Sequence, residues 1–244
     1  SHYSILDGMS TIPGLIEKSI EQGANAIALT DHGNMFGIKE FYNYVNEKNQ
    51  PINNEIDDLQ EQLVKNELTD EEKESIQAQI SDLEKKRFKP ILGCEAYVAK
   101  RSRFLKETTE DRSGYHLVLL AKNKKGYKNL CKLVSLGHLE GFYYRPRIDH
   151  VLLEQYSEGI IASSACLGGE IHSKIETGDL EEAEKAIYWY KKVFGDDFYL
   201  ELQLHQTDKP NADTEVYEKQ KRQNEILIQL ARKTNTKLLA TNDV

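Results

Sequence analysis

The stretch Ala26-Ile27-Ala28-Leu29-Thr30-Asp31-His32-Gly33 decides the fold, because a short apolar run ends there on two polar side chains and a glycine. A continuous apolar run of this length predicts a strand that is covered on both faces, as in the parallel sheets of α/β proteins. An Asp-His pair after such a strand lies where α/β barrels carry their functional sites, at the carboxyl ends of the strands. The stretch therefore predicts both the architecture and the edge of the sheet at which a site would lie.

The same pattern recurs along the chain. Five further apolar runs cover residues 91–98, 116–121, 159–164, 198–203 and 237–241. Patterns with apolar residues three and four positions apart predict helices at 12–22, 37–47, 127–136, 180–193 and 215–233. Repeated strand-helix units imply a parallel sheet, and the commonest closed form of such a sheet is a barrel.

The segment 49–89 departs from this alternation because it is strongly polar. Its apolar residues form two narrow stripes at helical spacing, Ile56, Leu59 and Leu63, then Ile76, Ile80 and Leu83. Thr69 and Glu72 fit a capping box that would begin the second helix. We expect a helical hairpin inserted into the barrel. We favour a solvated excursion, closed by its own apolar stripe, over a partner-docking arm because charge runs usually only face water.

The composition excludes several classes of protein. Charged residues make up 30% and hydrophobic residues 39%, which argues against wholesale disorder. No apolar run approaches the roughly 18 residues of a membrane-spanning helix. The 32 basic and 40 acidic residues give a formal net charge of −8. This balance disfavours a protein that holds nucleic acid by counterion release alone, although a local basic cleft or bound metal cations could still attract phosphates. Three cysteines are too few for a disulfide framework and predict a reducing, cytoplasmic setting.

Side chains that bind first-row metals recur at the predicted strand termini. They are Asp31, His32, Glu95, His116, Cys166 and Asp243, with Asp7 in the opening turn. Single residues have ordinary explanations: His32 could be a turn residue and Cys166 a buried thiol. Glu95 is harder to explain in this way, because a carboxylate in an apolar strand is costly without a cation or donors. Taken together the residues favour a metal site, since the ordinary explanation would be needed afresh at every strand.

These residues belong to longer segments that carry a resemblance. In chain order they are SHYSILDG, ALTDHGNMFG, PILGCEAYV, YHLVLLAKN, GYKNLCKLVS, LEGFYYRPRID, IIASSACLGGEI and LLATND. They resemble the polymerase-and-histidinol-phosphatase (PHP) domain at the N-terminus of the bacterial replicative DNA polymerase III alpha subunit. YRPRID and SSACLGGEI point to the polymerase-associated branch of that family. The resemblance covers nearly all of the chain except the hairpin.

The resemblance implies an α/β fold, a distorted seven-stranded (β/α)7 TIM-like barrel. It implies a single PHP domain over residues 1–244, with 49–89 as the inserted hairpin. The missing initiator Met and the end at Val244, inside an apparent strand end, suggest an excerpt of a longer polymerase chain.

The resemblance also implies a cluster of up to three divalent ions, zinc or alternatively manganese. The family's ligand positions match Asp7, His32, Glu95, His116, Cys166 and Asp243. Glu95 would bridge two ions, and only Glu95, His116 and Cys166 complete one site. A His-x-His pair would precede Ser1 and a further His would follow Val244, so this chain is expected to hold fewer than three ions.

The function implied is that of a DNA-directed DNA polymerase subunit in replication, with a metal-dependent 3′-to-5′ exonuclease or phosphoesterase that could proofread. Glu95 and His116 would act through the ions, and His205 could contact substrate or protonate the leaving group, unless it only packs. The candidate phosphate contacts are Arg145, Arg147 and Lys122. The alternative is that these three are ordinary surface charges.

Two other functions remain open. The domain could be a non-catalytic scaffold that supports the polymerase and docks a proofreading exonuclease subunit, or a stand-alone phosphoesterase. A pure scaffold has no need of the ligand set, which favours the catalytic reading. The partners expected are the 3′ end of a primer strand, the rest of the alpha subunit and the exonuclease subunit, with no membrane.

Overall fold

The computed structural model describes residues 1–5, 7–65, 68–206 and 214–242. The architecture is mixed α/β and of the distorted TIM-barrel type, which confirms the predicted fold class. The chain divides into two compact units, Ser1–Leu29 with Phe36–Ile91, and Thr30–Met35 with Leu92–Val244. The expectation of a single domain over the whole chain stays a prediction. No helix in the described parts of the chain combines the length and the apolar character that crossing a bilayer requires.

The first unit is mostly helical. Its elements are α1 (Ile12–Glu21), β1 (Ala26–Leu29), α2 (Ile38–Lys65), α3 (Asp70–Lys86) and the beginning of β2 (Lys89–Ala99). Helix α1 begins after Thr11, whose hydroxyl accepts a hydrogen bond from the Gly14 N–H at 3.2 Å. This side chain satisfies one of the N–H groups that a helix leaves unpaired at its start.

The predicted hairpin exists, but its first boundary differs. The second helix begins at the predicted capping box of Thr69 and Glu72. The first does not begin near residue 49, because α2 runs continuously from Ile38 through Pro51 to Lys65. The sequence does not reveal this continuity, because the polar residue Asn49 lies in the middle of the helix, where the hairpin was expected to begin. Its buried amide donates to the Phe88 carbonyl at 2.8 Å and accepts from the Phe88 N–H at 2.9 Å, which ties the two ends of the hairpin together.

The second unit contains the larger part of the sheet. After β2 come β3 (Gly114–Ala121), β4 (Arg147–Ile148), β5 (Ile160–Ser163), β6 (Phe198–Gln203) and β7 (Lys237–Thr241). The helices are α4 (Lys124–Leu139), α5 (His150–Tyr156), α6 (Glu170–Glu176), α7 (Leu180–Phe194) and α8 (Glu215–Thr234). The strands lie in the order β2-β3-β5-β6-β7, with β4 beside β2. The short elements β4, α5 and α6 were not predicted.

The expectation of a parallel sheet is wrong for one strand. Strand β3 runs antiparallel to both β2 and β5, whereas β5, β6 and β7 are parallel to one another. A parallel connection needs a crossover, usually a helix, and between β2 and β3 the chain forms only the short 3-10 helix Thr109–Arg112. The beginning of β3 therefore lies beside the end of β5.

The core of the second unit lies between the sheet and its helices. From β3, Leu117 and Leu119 are buried in this core together with Leu133 of α4 and Ile187 of α7. Successive side chains of a strand point to opposite faces, so His116 lies on the other face of β3. This alternation separates the packed core from the candidate site.

Candidate metal centre

Three of the predicted ligands come together in the second unit. Glu95, His116 and Cys166 each offer a ligand atom, and these atoms all lie within 4.8 Å of one another. Tyr97 pairs with His116 across β2 and β3, which makes Glu95 and His116 diagonal neighbours on one face. Val118 pairs with Ser163, so the reversed β3 brings its first residues to the turn that carries Cys166.

The Glu95 carboxylate is the centre of this cluster. Its Oε1 contacts Nδ1 of His116, and its Oε2 contacts Nδ1 of His32. The Cys166 Sγ lies 3.3 Å from Nδ1 of His116. Backbone bonds fix the His32 loop to the strand, because the Glu95 N–H donates to the Asp31 carbonyl at 3.1 Å and the Gly33 N–H donates to the Glu95 carbonyl at 2.8 Å. The structure thus brings a fourth predicted ligand, His32, against Glu95.

In this cluster the negatively charged Glu95 carboxylate lies between the imidazole rings of His116 and His32. Burial alone would raise the pKa of Glu95, but His116 and His32 outweigh it and lower this pKa to about 2. Burial would lower the pKa of His116, but Cys166 and the Glu95 carboxylate beside it raise this pKa to about 10. In the absence of a cation, His116 therefore carries a proton that a metal ion must displace.

The turn after β5 is shaped to place Cys166. Ala165 has a φ of 58°, in the left-handed region that residues with a Cβ rarely adopt. The His116 N–H donates to the Gly168 carbonyl at 3.0 Å. A Cβ at Gly168 would lie 3.0 Å from Nδ1 of His116, and one at Gly169 would lie 2.1 Å from the Ser164 carbonyl oxygen. Gly169 is therefore required by the close approach of the backbone, and a side chain at Gly168 would press on the His116 ring.

Glu201 on β6 was missed by the sequence analysis. Its carboxylate is 2% exposed and accepts hydrogen bonds from the hydroxyls of Ser163 and Thr241, the latter at 2.7 Å. Its own N–H donates to the Ser164 hydroxyl at 2.9 Å. Glu201 therefore holds the end of β5, directly before the turn that carries Cys166. The available signal was a Glu inside an apolar strand, the same signal that identified Glu95.

Of the predicted phosphate contacts, Arg145 adjoins the cluster. Its Nη1 donates to the hydroxyl of Tyr97 at 3.2 Å. The Tyr97 ring packs edge-on against the His116 ring, with 5.2 Å between the centroids. One aromatic side chain therefore separates this guanidinium from a predicted metal ligand.

Arg147 has a structural position instead of the predicted phosphate contact. Its side chain is 0% exposed, and its guanidinium donates to the carbonyls of Gly141 and Arg103 at 2.9 Å and of Leu105 at 3.0 Å. A phosphate cannot reach a fully buried guanidinium. The prediction for Arg147 is corrected accordingly: it holds loops together.

The prediction that Lys122 contacts a phosphate is also corrected. It follows the last residue of β3, whereas His116 lies near the beginning of this strand, so about 20 Å of extended chain separates them. Its Nζ is paired with Asp197, at 2.7 and 2.9 Å from the two carboxylate oxygens. Lys122 therefore lies at the wrong end of the sheet for a contact with the cluster.

The remaining predicted residues are less informative. His205 follows β6, where its N–H donates to Oε1 of Gln220 at 2.8 Å and its Nδ1 lies 2.9 Å from the Gln220 Nε2. Asp7 belongs to the first unit, where its N–H donates to the Ser4 carbonyl at 3.0 Å. Asp243 lies outside the described residues.

Comparisons with known proteins agree with the resemblance. The sequence model of the PHP domain matches residues 1–205. The DNA polymerase III subunit alpha of Borreliella burgdorferi is 43% identical over 244 residues, which cover 100% of this chain and 17% of that protein. The subunits of the same name from Chlamydia trachomatis and Aquifex aeolicus are each 35% identical and also match 100% of the chain. The chain spans less than a fifth of the length of these relatives.

Proposed function

The chain belongs to the PHP domain family, and on that premise we propose that it is a metal-dependent phosphoesterase domain of a bacterial replicative DNA polymerase. The observation that carries the proposal is the convergence of Glu95, His116 and Cys166 within 4.8 Å. PHP domains are generally metal-dependent, and this cluster offers one carboxylate, one imidazole and one thiol from three different strands or turns.

Zinc fits this donor set best. Catalytic zinc takes three protein ligands and keeps one position open, and thiolate ligands favour zinc over magnesium. Manganese is the alternative, because carboxylate ligands also suit it. We propose that the complete protein would hold up to three ions, with His32, Asp7 and Asp243 as further ligands beside Glu95, His116 and Cys166.

A divalent ion held there would lower the pKa of water and stabilise the negative charge of a phosphodiester during its hydrolysis. The residues of this chain have separate roles in such a reaction. Glu95 supplies the fixed negative charge that holds the cation, and Tyr97 orients the His116 ring by packing against it. Arg145 binds a phosphate oxygen, and His205 is proposed to contact the substrate or the leaving group.

The substrate we propose is the 3′ end of a DNA strand. The relatives are DNA polymerase III alpha subunits, so the activity would serve replication by removing terminal nucleotides. The polymerase activity itself, the rest of the alpha subunit as a partner and a cytoplasmic location belong to the same proposal. The alternative is a scaffold that docks a separate exonuclease subunit, and it would not need the three converging ligands.

Removal of zinc tests this function. In the full-length protein with excess Mg²⁺, a 5′-labelled primer without deoxynucleoside triphosphates should shorten stepwise. A zinc-selective chelator should stop the shortening, and added Zn²⁺ or Mn²⁺ should restore it, while DNA synthesis by the same preparation continues with Mg²⁺. If the primer stays intact with every metal ion while synthesis proceeds, the domain is a scaffold.

A further inference from the structure

The turn from Phe142 to Arg145 presents aromatic side chains to solvent. Phe142 is 51% exposed and Tyr144 is 63% exposed. The Tyr143 N–H donates to the Arg145 carbonyl at 3.1 Å, which closes a tight turn with Tyr144 at its tip. Tyr144 has a φ of 62°, in the left-handed region that bulky residues rarely adopt. The turn therefore holds a large ring outward in an unfavourable backbone conformation.

Two independent contacts place this turn beside the metal centre. The guanidinium of Arg145 donates to the Tyr97 hydroxyl and lies 5.3 Å from the centroid of that ring, which itself packs against His116. Pro146 and Tyr97 also lie against Gly33, where a Cβ would be 2.8 Å from Cγ of Pro146 and 3.0 Å from Cε2 of Tyr97. Gly33 directly follows a predicted metal ligand, so Pro146, the residue after the turn, also lies beside the cluster.

Two arginine side chains, Arg112 and Arg145, lie at this turn, although the chain as a whole is acidic. The guanidinium carbon of Arg112 lies 5.1 Å from the centroid of the Tyr144 ring. Neither Arg112 nor Arg145 forms an ion pair with a carboxylate of the described residues, whereas the nearby Arg101 and Arg103 are both held in such pairs. Two exposed guanidinium groups are therefore left for an anionic ligand.

An exposed ring with a guanidinium over it stacks on a flat aromatic ligand, and a guanidinium binds phosphate. A nucleotide with an unpaired base carries both groups. We propose that Tyr144, Arg112 and Arg145 form a binding site for the terminal nucleotide of single-stranded DNA beside the metal centre. The base stacks on Tyr144 and Arg112, and Arg145 pairs with the phosphate. In a duplex the base is stacked and paired, so the site selects frayed or unpaired 3′ ends. The choice of DNA as ligand rests on the proposed function.

Photo-cross-linking tests the site without requiring catalysis. The full-length protein is mixed with a single-stranded oligonucleotide whose 3′-terminal base is 5-iodouracil, with a chelator present, and is irradiated. Mass spectrometry is expected to find an adduct on Tyr144, and the Tyr144→Phe protein should retain it at the same position. The adduct should persist in Tyr188→Ala, which removes a half-exposed tyrosine on α7. Adducts confined to residues outside 142–145 would overturn the proposal.

Degradation kinetics supply the second test. With metal present, Tyr144→Ala should slow removal of a normal unpaired 3′ nucleotide about tenfold. It should leave removal of an abasic 3′ end unchanged, because an abasic end has no base to stack. An unchanged rate on the normal end, or an equal loss on both ends, would contradict the stacking role. If the parental protein degrades neither end, the proposed function fails, whereas the cross-link still decides whether the nucleotide site exists.

Discussion

Replacement of Glu95 by Gln is expected to abolish degradation of 3′ DNA ends by the full-length protein, while DNA synthesis survives. The amide keeps the size of the side chain but lacks the negative charge that His32 and His116 now surround. Losing a residue that merely supports a metal ligand already costs about 10- to 100-fold in metal affinity or activity. We therefore expect a loss of at least about a hundredfold for Glu95→Gln.

The comparison needs a control that makes the same chemical change elsewhere. Glu154→Gln alters an exposed carboxylate on α5 and should leave both activities unchanged. Initial rates of primer shortening and of primer extension are measured on the same preparations. Nuclease activity of Glu95→Gln near the parental level, after rigorous purification, would remove Glu95 from the centre of the site.

Replacement of Arg147 by Ala is expected to destabilise the fold more than any surface change. This substitution leaves three backbone carbonyls without their donor, in a region where the side chain is 0% exposed. A buried acceptor left without its donor costs about 1–3 kcal/mol, so three of them are a large loss against a typical stability of about 5–15 kcal/mol. Lys should not rescue the loss, because one ammonium cannot reproduce the planar fork of a guanidinium.

Urea unfolding followed by circular dichroism measures this loss. Arg145→Ala is the matched control, since it removes an exposed guanidinium two residues away. The control should stay within about 0.5 kcal/mol of the parental protein, as surface substitutions usually do. A similar small change for Arg147→Ala would show that the three carbonyls find other donors, and that the buried guanidinium is not needed for the fold.

Much of the fold could be predicted because it rests on apolar patterning. The predicted strand at 198–203 matches β6, and the predicted helix at 180–193 matches α7 to within one residue. Strand β4 has two residues, which is too short for any periodicity to show. The reversal of β3 could not be predicted from its own residues, because strand direction depends on the connection and on the pairing partners.

The candidate site was predictable where chemistry and position coincide. A carboxylate in an apolar strand identified Glu95, and the position at strand termini identified His116 and Cys166 before the resemblance matched them to ligand positions. The same reasoning missed Glu201, although the signal was equally strong. Arg147 and Lys122 were misassigned because a positive charge in the sequence does not reveal whether its side chain is buried or at which end of a strand it lies. Tyr97 was missed because an aromatic residue in a strand usually indicates only packing.

The most direct test of the account is cobalt substitution at the centre formed by Glu95, His116 and Cys166. Titration of the metal-depleted full-length protein with Co²⁺ should produce the near-ultraviolet absorption of a cobalt-thiolate bond, weaker at lower pH because the ion competes with the proton on His116. The band should disappear in Cys166→Ser and persist in Cys131→Ser. A parental protein without the band, or a Cys166→Ser protein that keeps it, would contradict the assignment of this metal centre.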